Sequence, residues 1–116
     1  MRSVGLDAEE LRPLDREVSD LIVSPAERRW IDARRGVAAD DLILLFFSAK
    51  EAYYKCQYPI SKTMLDFHEV RIDIDLAAHR FQASAVRSGL PTCVARLEGR
   101  YAFDQGMVLC GVELAM

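Results

Sequence analysis

The run Leu42-Ile43-Leu44-Leu45-Phe46-Phe47 is apolar on nearly every side of a helix, and it leads directly into Ser48-Ala49-Lys50-Glu51-Ala52-Tyr53-Tyr54-Lys55. A helix that is hydrophobic all round has to be covered all round. The segment therefore predicts a long central helix, capped by Asp40 or Asp41, with the rest of the chain arranged about it. Lys50, Glu51 and Lys55 are then charged groups on a largely buried helix, where charges are rare unless paired or functional.

The flanking sequence predicts what covers that helix. Ser24-Pro25-Ala26-Glu27 has the form of a capping box with proline at the first helical position, so a short helix is expected up to about Arg35, with Gly36 ending it. Ser3 to Asp7 reads as a strand, closed by Pro13. After Pro59 the pattern becomes extended. Phe67, Val70, Ile72 and Ile74 stand among polar residues, and further extended segments are expected near Phe81–Val86, Thr92–Leu97 and Met107–Leu114. Helices followed by a meander of strands predict an α+β fold, with helices packed on a small, mainly antiparallel sheet. With 116 residues, 51% of them hydrophobic and 28% charged, there is apolar material for one modest core. No repeat, low-complexity tract or long linker divides the chain, so residues 1–116 are expected to form a single domain.

Charge and cysteine usage exclude some functions. A net charge of -3 and a pI of about 5.3 lack the footprint of a general nucleic-acid binder. Cys56, Cys93 and Cys110 are odd in number and lack close pairing. They read as reduced thiols in a cytoplasmic protein. Neither a signal peptide nor a membrane anchor is expected.

Two groups of residues suggest chemistry. Asp7 and Glu9 are two apart in a strand, so their carboxylates share a side and Glu10 takes the other. Such a pair suits a hard cation such as magnesium, which is usually held by one or two carboxylates together with phosphate oxygens. Glu51 and Lys55, four apart, share a helix face. An ordinary surface ion pair is the bland reading of that spacing, and the buried setting argues against it.

Phe47 to Lys55 resembles the signature of the 4'-phosphopantetheinyl transferases: an aromatic residue, Ser, a spacer, Lys-Glu, then Lys four after the Glu. Gly5-Leu6-Asp7-Ala8-Glu9 is similar to that family's Gly-(Ile/Val)-Asp-x-Glu strand, and Ser24 to Glu27 to its short capped helix. Tyr58-Pro59, Leu65-Asp66-Phe67, Gly99-Arg100-Tyr101 and Val108 to Leu114 resemble the larger, enterobactin-synthetase-type branch. The resemblance implies a half-module of the transferase fold that moves the phosphopantetheine arm of coenzyme A to a serine of an acyl, peptidyl or aryl carrier protein. Carrier proteins of siderophore or secondary-metabolite biosynthesis come within its scope. It implies Asp7, Glu9 and Glu51 as magnesium ligands, Lys55 as a phosphate contact, and Lys50 beside the pyrophosphate or the reacting serine. Glu51 is the candidate for taking the serine proton.

The resemblance covers only the second of the two similar halves of the larger enzymes. It therefore implies either a missing N-terminal partner half or self-association, as in the small trimeric holo-acyl-carrier-protein synthases. The alternative function is a non-catalytic half-domain that binds a partner subunit or a carrier protein. Trp30 is expected to pack the short helix on the core. Arg28, Arg29, Arg34 and Arg35 form either a solvated face or a docking surface for an acidic carrier protein. His68 and His79 are given no catalytic role.

Overall fold

A computed structural model of the chain describes residues 2–115. Five strands, β1 (Arg2–Glu10), β2 (Val70–Asp75), β3 (Arg80–Ala85), β4 (Arg96–Asp104) and β5 (Met107–Ala115), form one sheet. Its order is β1-β5-β4-β3-β2, antiparallel throughout. β4 and β5 are joined by a tight turn at Gln105 and Gly106, both with positive φ, the left-handed pair that matches the twist of a two-residue hairpin.

The α+β architecture is as the residue pattern predicts. The central helix α3 (Ala39–Ser61) lies across one face of the sheet, with α1 (Arg16–Ile22) and α2 (Pro25–Asp32) beside it. Leu42, Leu45, Phe46, Ala49, Ala52 and Tyr53 of α3 are almost wholly buried, as are Val108 and Val112 of β5 and Ala83 of β3. Trp30 packs edge-on against Phe46 with ring centroids 5.8 Å apart. Among the described residues no helix covers the other face of the sheet, and Val4, Leu6 and Leu109 are exposed there.

Several boundaries differ from the sequence reading. Helix α1 was not expected; seven residues give too little periodicity to stand out. α2 ends at Asp32, short of Arg35. α3 begins after Ala38, leaving Asp40 and Asp41 in its first turn, where Asp40 Oδ2 accepts the Leu14 N–H at 3.2 Å instead of capping α3. Pro59 lies within the last turn, and the helix runs on to Ser61. Phe67–Glu69 is a 3-10 turn, and Thr92–Ala95 is a short helix (α4) that precedes β4. In these segments caps and tertiary packing outweigh the extended propensity.

Gly5 sets the distance between β1 and α3. A Cβ on Gly5 would lie 1.8 Å from the Ala52 carbonyl oxygen and 2.8 Å from the Cys56 nitrogen, so only glycine allows the strand to come this close. Ser3 Oγ donates to the Cys56 carbonyl at 2.6 Å on the same face. The next inward positions of β1 are Asp7 and Glu9, which the close approach brings beside the second half of α3.

Candidate active site

Alternation along β1 puts Ser3, Gly5, Asp7 and Glu9 on the helix side and Leu6, Ala8 and Glu10 on the other. The structure thus brings Asp7 and Glu9 together with Glu51 and Lys55 of α3. The Lys55 ammonium reaches across to Asp7 Oδ1 at 3.0 Å and donates to the Leu6 carbonyl at 3.1 Å. Half of the Lys55 side chain is exposed, whereas Asp7 is only 7% exposed. Lys55 is therefore bound to the strand, and the simple i,i+4 pairing with Glu51 is not its main contact.

The three carboxylates crowd one another. The Glu9 carboxyl is pushed up to about 7 by partial burial and by the neighbouring Asp7 and Glu51 carboxylates. Glu51 is raised by burial and by the Asp7 charge, with Lys55 opposing the shift. Asp7 Oδ2 is buried without a hydrogen-bond partner, an arrangement that costs free energy unless something answers it. Among the described residues no group of three or more His, Cys, Asp or Glu side chains is already disposed to hold a metal ion. The donor chemistry nevertheless suits a hard cation: carboxylate oxygens alone, one of them orphaned, in a patch where negative charge is in excess.

Glu51 also faces a cleft of about 670 Å³, lined by Leu21, Tyr54, Met64, Phe67 and His68 among others. The cleft joins an apolar groove to the carboxylate cluster through one side chain, Glu51. The sequence reading missed the groove, because its walls come from α1, α3 and the segment before β2, and no local pattern links them.

Lys50 is placed differently from its expected companions. Its ammonium is buried and donates to the Ile22 carbonyl at 2.7 Å, Glu27 Oε1 at 2.8 Å and the Phe67 carbonyl at 2.9 Å. Burial lowers its pKa from the ordinary lysine value, and the Glu27 charge opposes the shift. All three of its protons have acceptors within the protein. Lys50, expected beside the pyrophosphate or the reacting serine, has its ammonium turned to these internal acceptors, while the residue still lines the cleft. Sequence spacing held the clue: one residue from Glu51 is about 100° around a helix, so Lys50 leaves the face that Glu51 and Lys55 share.

The four arginines do not form one free basic face. Arg28 is tied to Asp20 Oδ1 at 2.9 Å and to Ser19, and Arg34 lies over the Trp30 ring at 4.6 Å. His68 Nε2 is 2.9 Å from the Asp20 carbonyl at the cleft edge. His79 stacks on Tyr101 in the β2–β3 turn.

The family model of the 4'-phosphopantetheinyl transferase superfamily matches residues 3–103. The chain is 36% identical over 119 residues to the 4'-phosphopantetheinyl transferase Svp of Streptomyces mobaraensis, covering 97% of this chain and 48% of that protein. It is 33% identical over 123 residues to the 4'-phosphopantetheinyl transferase PptT of Mycobacterium tuberculosis, covering 98% and 53%. The chain thus spans about half the length of the curated relatives it matches. Among solved structures, the holo-acyl-carrier-protein synthase of Thermotoga maritima superimposes with a TM-score of 0.71 at 16% identity, over 97% of this chain and 62% of that one. The ACPS–CoA complex from Chronobacterium ammoniagenes gives 0.68 at 18% identity, over 99% and 97%. At these identities the structural likeness speaks for the fold.

Proposed function

Because the chain belongs to the 4'-phosphopantetheinyl transferase superfamily, we propose that it moves the 4'-phosphopantetheine group of coenzyme A to a serine of an acyl, peptidyl or aryl carrier protein. The observation that carries this reading is the meeting of Asp7, Glu9, Glu51 and Lys55 at the end of a cleft, with Asp7 Oδ2 unanswered and the Glu9 carboxyl pushed up to about 7. We place the chain with the larger, enterobactin-synthetase-type branch, on the motifs it shares with that branch, and in the cytoplasm, on its three free thiols.

In this reading the serine hydroxyl attacks the phosphorus next to the pantetheine arm, a new phosphate ester forms, and 3',5'-adenosine diphosphate leaves. Glu51 takes the hydroxyl proton, and a carboxyl raised by burial and by Asp7 is a stronger base than an ordinary carboxylate. The Lys55 ammonium offers positive charge to the pyrophosphate from the exposed side of its contact with Asp7. Asp7, Glu9 and Glu51 would hold magnesium, which when bound supplies the charge that neutralises the pyrophosphate. The rest is positioning: the Gly5 contact fixes β1 against α3, and the cleft directs the two substrates toward Glu51.

The test is release of 3',5'-adenosine diphosphate from coenzyme A, followed by chromatography. Release only when both an apo carrier protein and magnesium are added supports the reading. Release that ignores the carrier, or none with folded protein, overturns it. A second reading is favoured by the span of about half the relatives' length and by Val4 and Leu6 exposed on the open sheet face. In it the chain is a half-domain that binds an N-terminal partner half, a second copy of itself or a carrier protein without performing the reaction.

A further inference from the structure

Lys50 and Glu27 form a buried ion pair, with side chains 1% and 5% exposed, one residue from Glu51. Glu27 does more than cap its helix. Its Oε1 accepts from Lys50 Nζ at 2.8 Å and from the Ser24 N–H at 2.9 Å, and its Oε2 accepts the Ile72 N–H of β2 at 3.0 Å. Lys50 adds the carbonyls of Ile22, at the end of α1, and of Phe67, in the 3-10 turn. Five segments from three stretches of the sequence are therefore joined at one point: α1 with α2, α3, and the 3-10 turn with β2.

Four of those segments, α1, α3, the 3-10 turn and β2, also line the cleft that Glu51 faces. Leu21 precedes Ile22, Phe67 carries one of the accepting carbonyls, and Val70 lies two residues before Ile72; all three line the cleft. A buried ion pair is seldom more stabilising than apolar residues of the same volume. What a fully satisfied buried network does provide is a defined arrangement of the pieces it joins. Here the pieces are the two sides of the cleft and the turn of α3 that bears Glu51.

We propose that Glu27, through Lys50, is a positioning residue of the transfer reaction: together they fix the cleft walls to α3 so that Glu51 meets the attacking hydroxyl, and neither touches the reacting atoms. This proposal rests on the transferase reading. It gives the lysine next to Glu51 an internal role and adds to the reaction a glutamate that local sequence marks only as a helix cap.

The test compares Glu27→Gln with the double variant Glu27→Gln/Lys50→Met. Glu27→Gln leaves Lys50 without a counter-charge and turns an amide N–H toward that of Ile72, so it lowers Tm. The double variant removes the charge pair while keeping volume and recovers most of that Tm, but Lys50→Met also cuts the ties to Ile22 and Phe67. Its kcat for carrier modification is expected to fall about 10- to 100-fold with the KM for coenzyme A within about twofold, the signature of misplaced groups. Recovery of kcat along with Tm overturns the proposal. If the starting chain shows no transfer, the transferase reading falls and amide hydrogen exchange decides the structural claim. Faster exchange at 22–24 and 67–72 in the double variant, with 108–112 still protected, upholds the coupling; unchanged protection at 67–72 overturns it.

Discussion

Two ion pairs lie little more than a helical turn apart on α3, and they are opposite in kind. At Lys50 and Glu27 every ammonium proton has an acceptor and both carboxylate oxygens have donors, all out of water. At Lys55 and Asp7 the lysine is half exposed, one Asp7 oxygen has no partner, and Glu9 and Glu51 press on the same spot. A saturated pair can only hold structure in place. An unsaturated pair still has bonds to make, and there the chemistry is expected. Residue type and sequence proximity do not separate the two; satisfaction and exposure do.

The largest expected effect sharpens that contrast at its centre. Glu51→Gln removes the candidate base and one metal ligand, so transfer should fall about 1,000-fold or more, measured as carrier modification per unit time. Thermal stability should hold, since the variant also relieves repulsion with Asp7. Loss of activity through unfolding would remove the distinction.

Next, Lys50→Met and Lys55→Met should separate stability from activity. Lys50→Met leaves the Glu27 carboxylate buried and uncompensated, at a cost of about 3–5 kcal/mol in chemical denaturation. Lys55→Met should cost less than Lys50→Met, because half of the Lys55 side chain already lies in water, while lowering kcat/KM for transfer about 100-fold. The reverse pattern would show that the two pairs have been assigned the wrong way round.

How much of this the sequence disclosed follows from the range of the forces involved. Strand alternation put Asp7 and Glu9 on one side, and helical spacing put Glu51 and Lys55 on one face, because both rules act within a few residues. The Ser24 and Glu27 capping box was legible for the same reason, and it is present. The inward turn of Lys50 was missed because its acceptors lie 17 to 28 residues away. Helix α1 and the turn at Phe67 were missed because each is short and is held by contacts with other elements. The second task of Glu27 on Ile72, 45 residues on, has no local trace.

A smaller effect concerns pH. The Glu9 carboxyl is raised from its ordinary 4.5 to about 7 in the folded chain. Across that interval the folded state binds more protons than the unfolded, so this contribution to stability is complete below 4.5 and is lost as pH rises through 7. With a chelator present, Tm should fall between about pH 5 and pH 8. Magnesium should remove the fall, and Glu9→Gln should flatten it. A Tm that rises over the range and ignores Glu9→Gln would contradict the crowded cluster. The smallest effect is His79→Ala, remote from both pairs, for which transfer should stay within about twofold. A loss equal to that of Glu51→Gln would void the assignment of roles.

The central claim is that the open pair, with Glu9 and Glu51, carries a transfer reaction. It is tested most directly by intact-protein mass spectrometry of an apo carrier protein incubated with this chain, coenzyme A and magnesium, beside a chelator control. The account predicts a magnesium-dependent mass increase of one phosphopantetheine group on the carrier. No increase on several carriers, from folded chain, would contradict it and leave a half-domain that binds a partner without performing the chemistry.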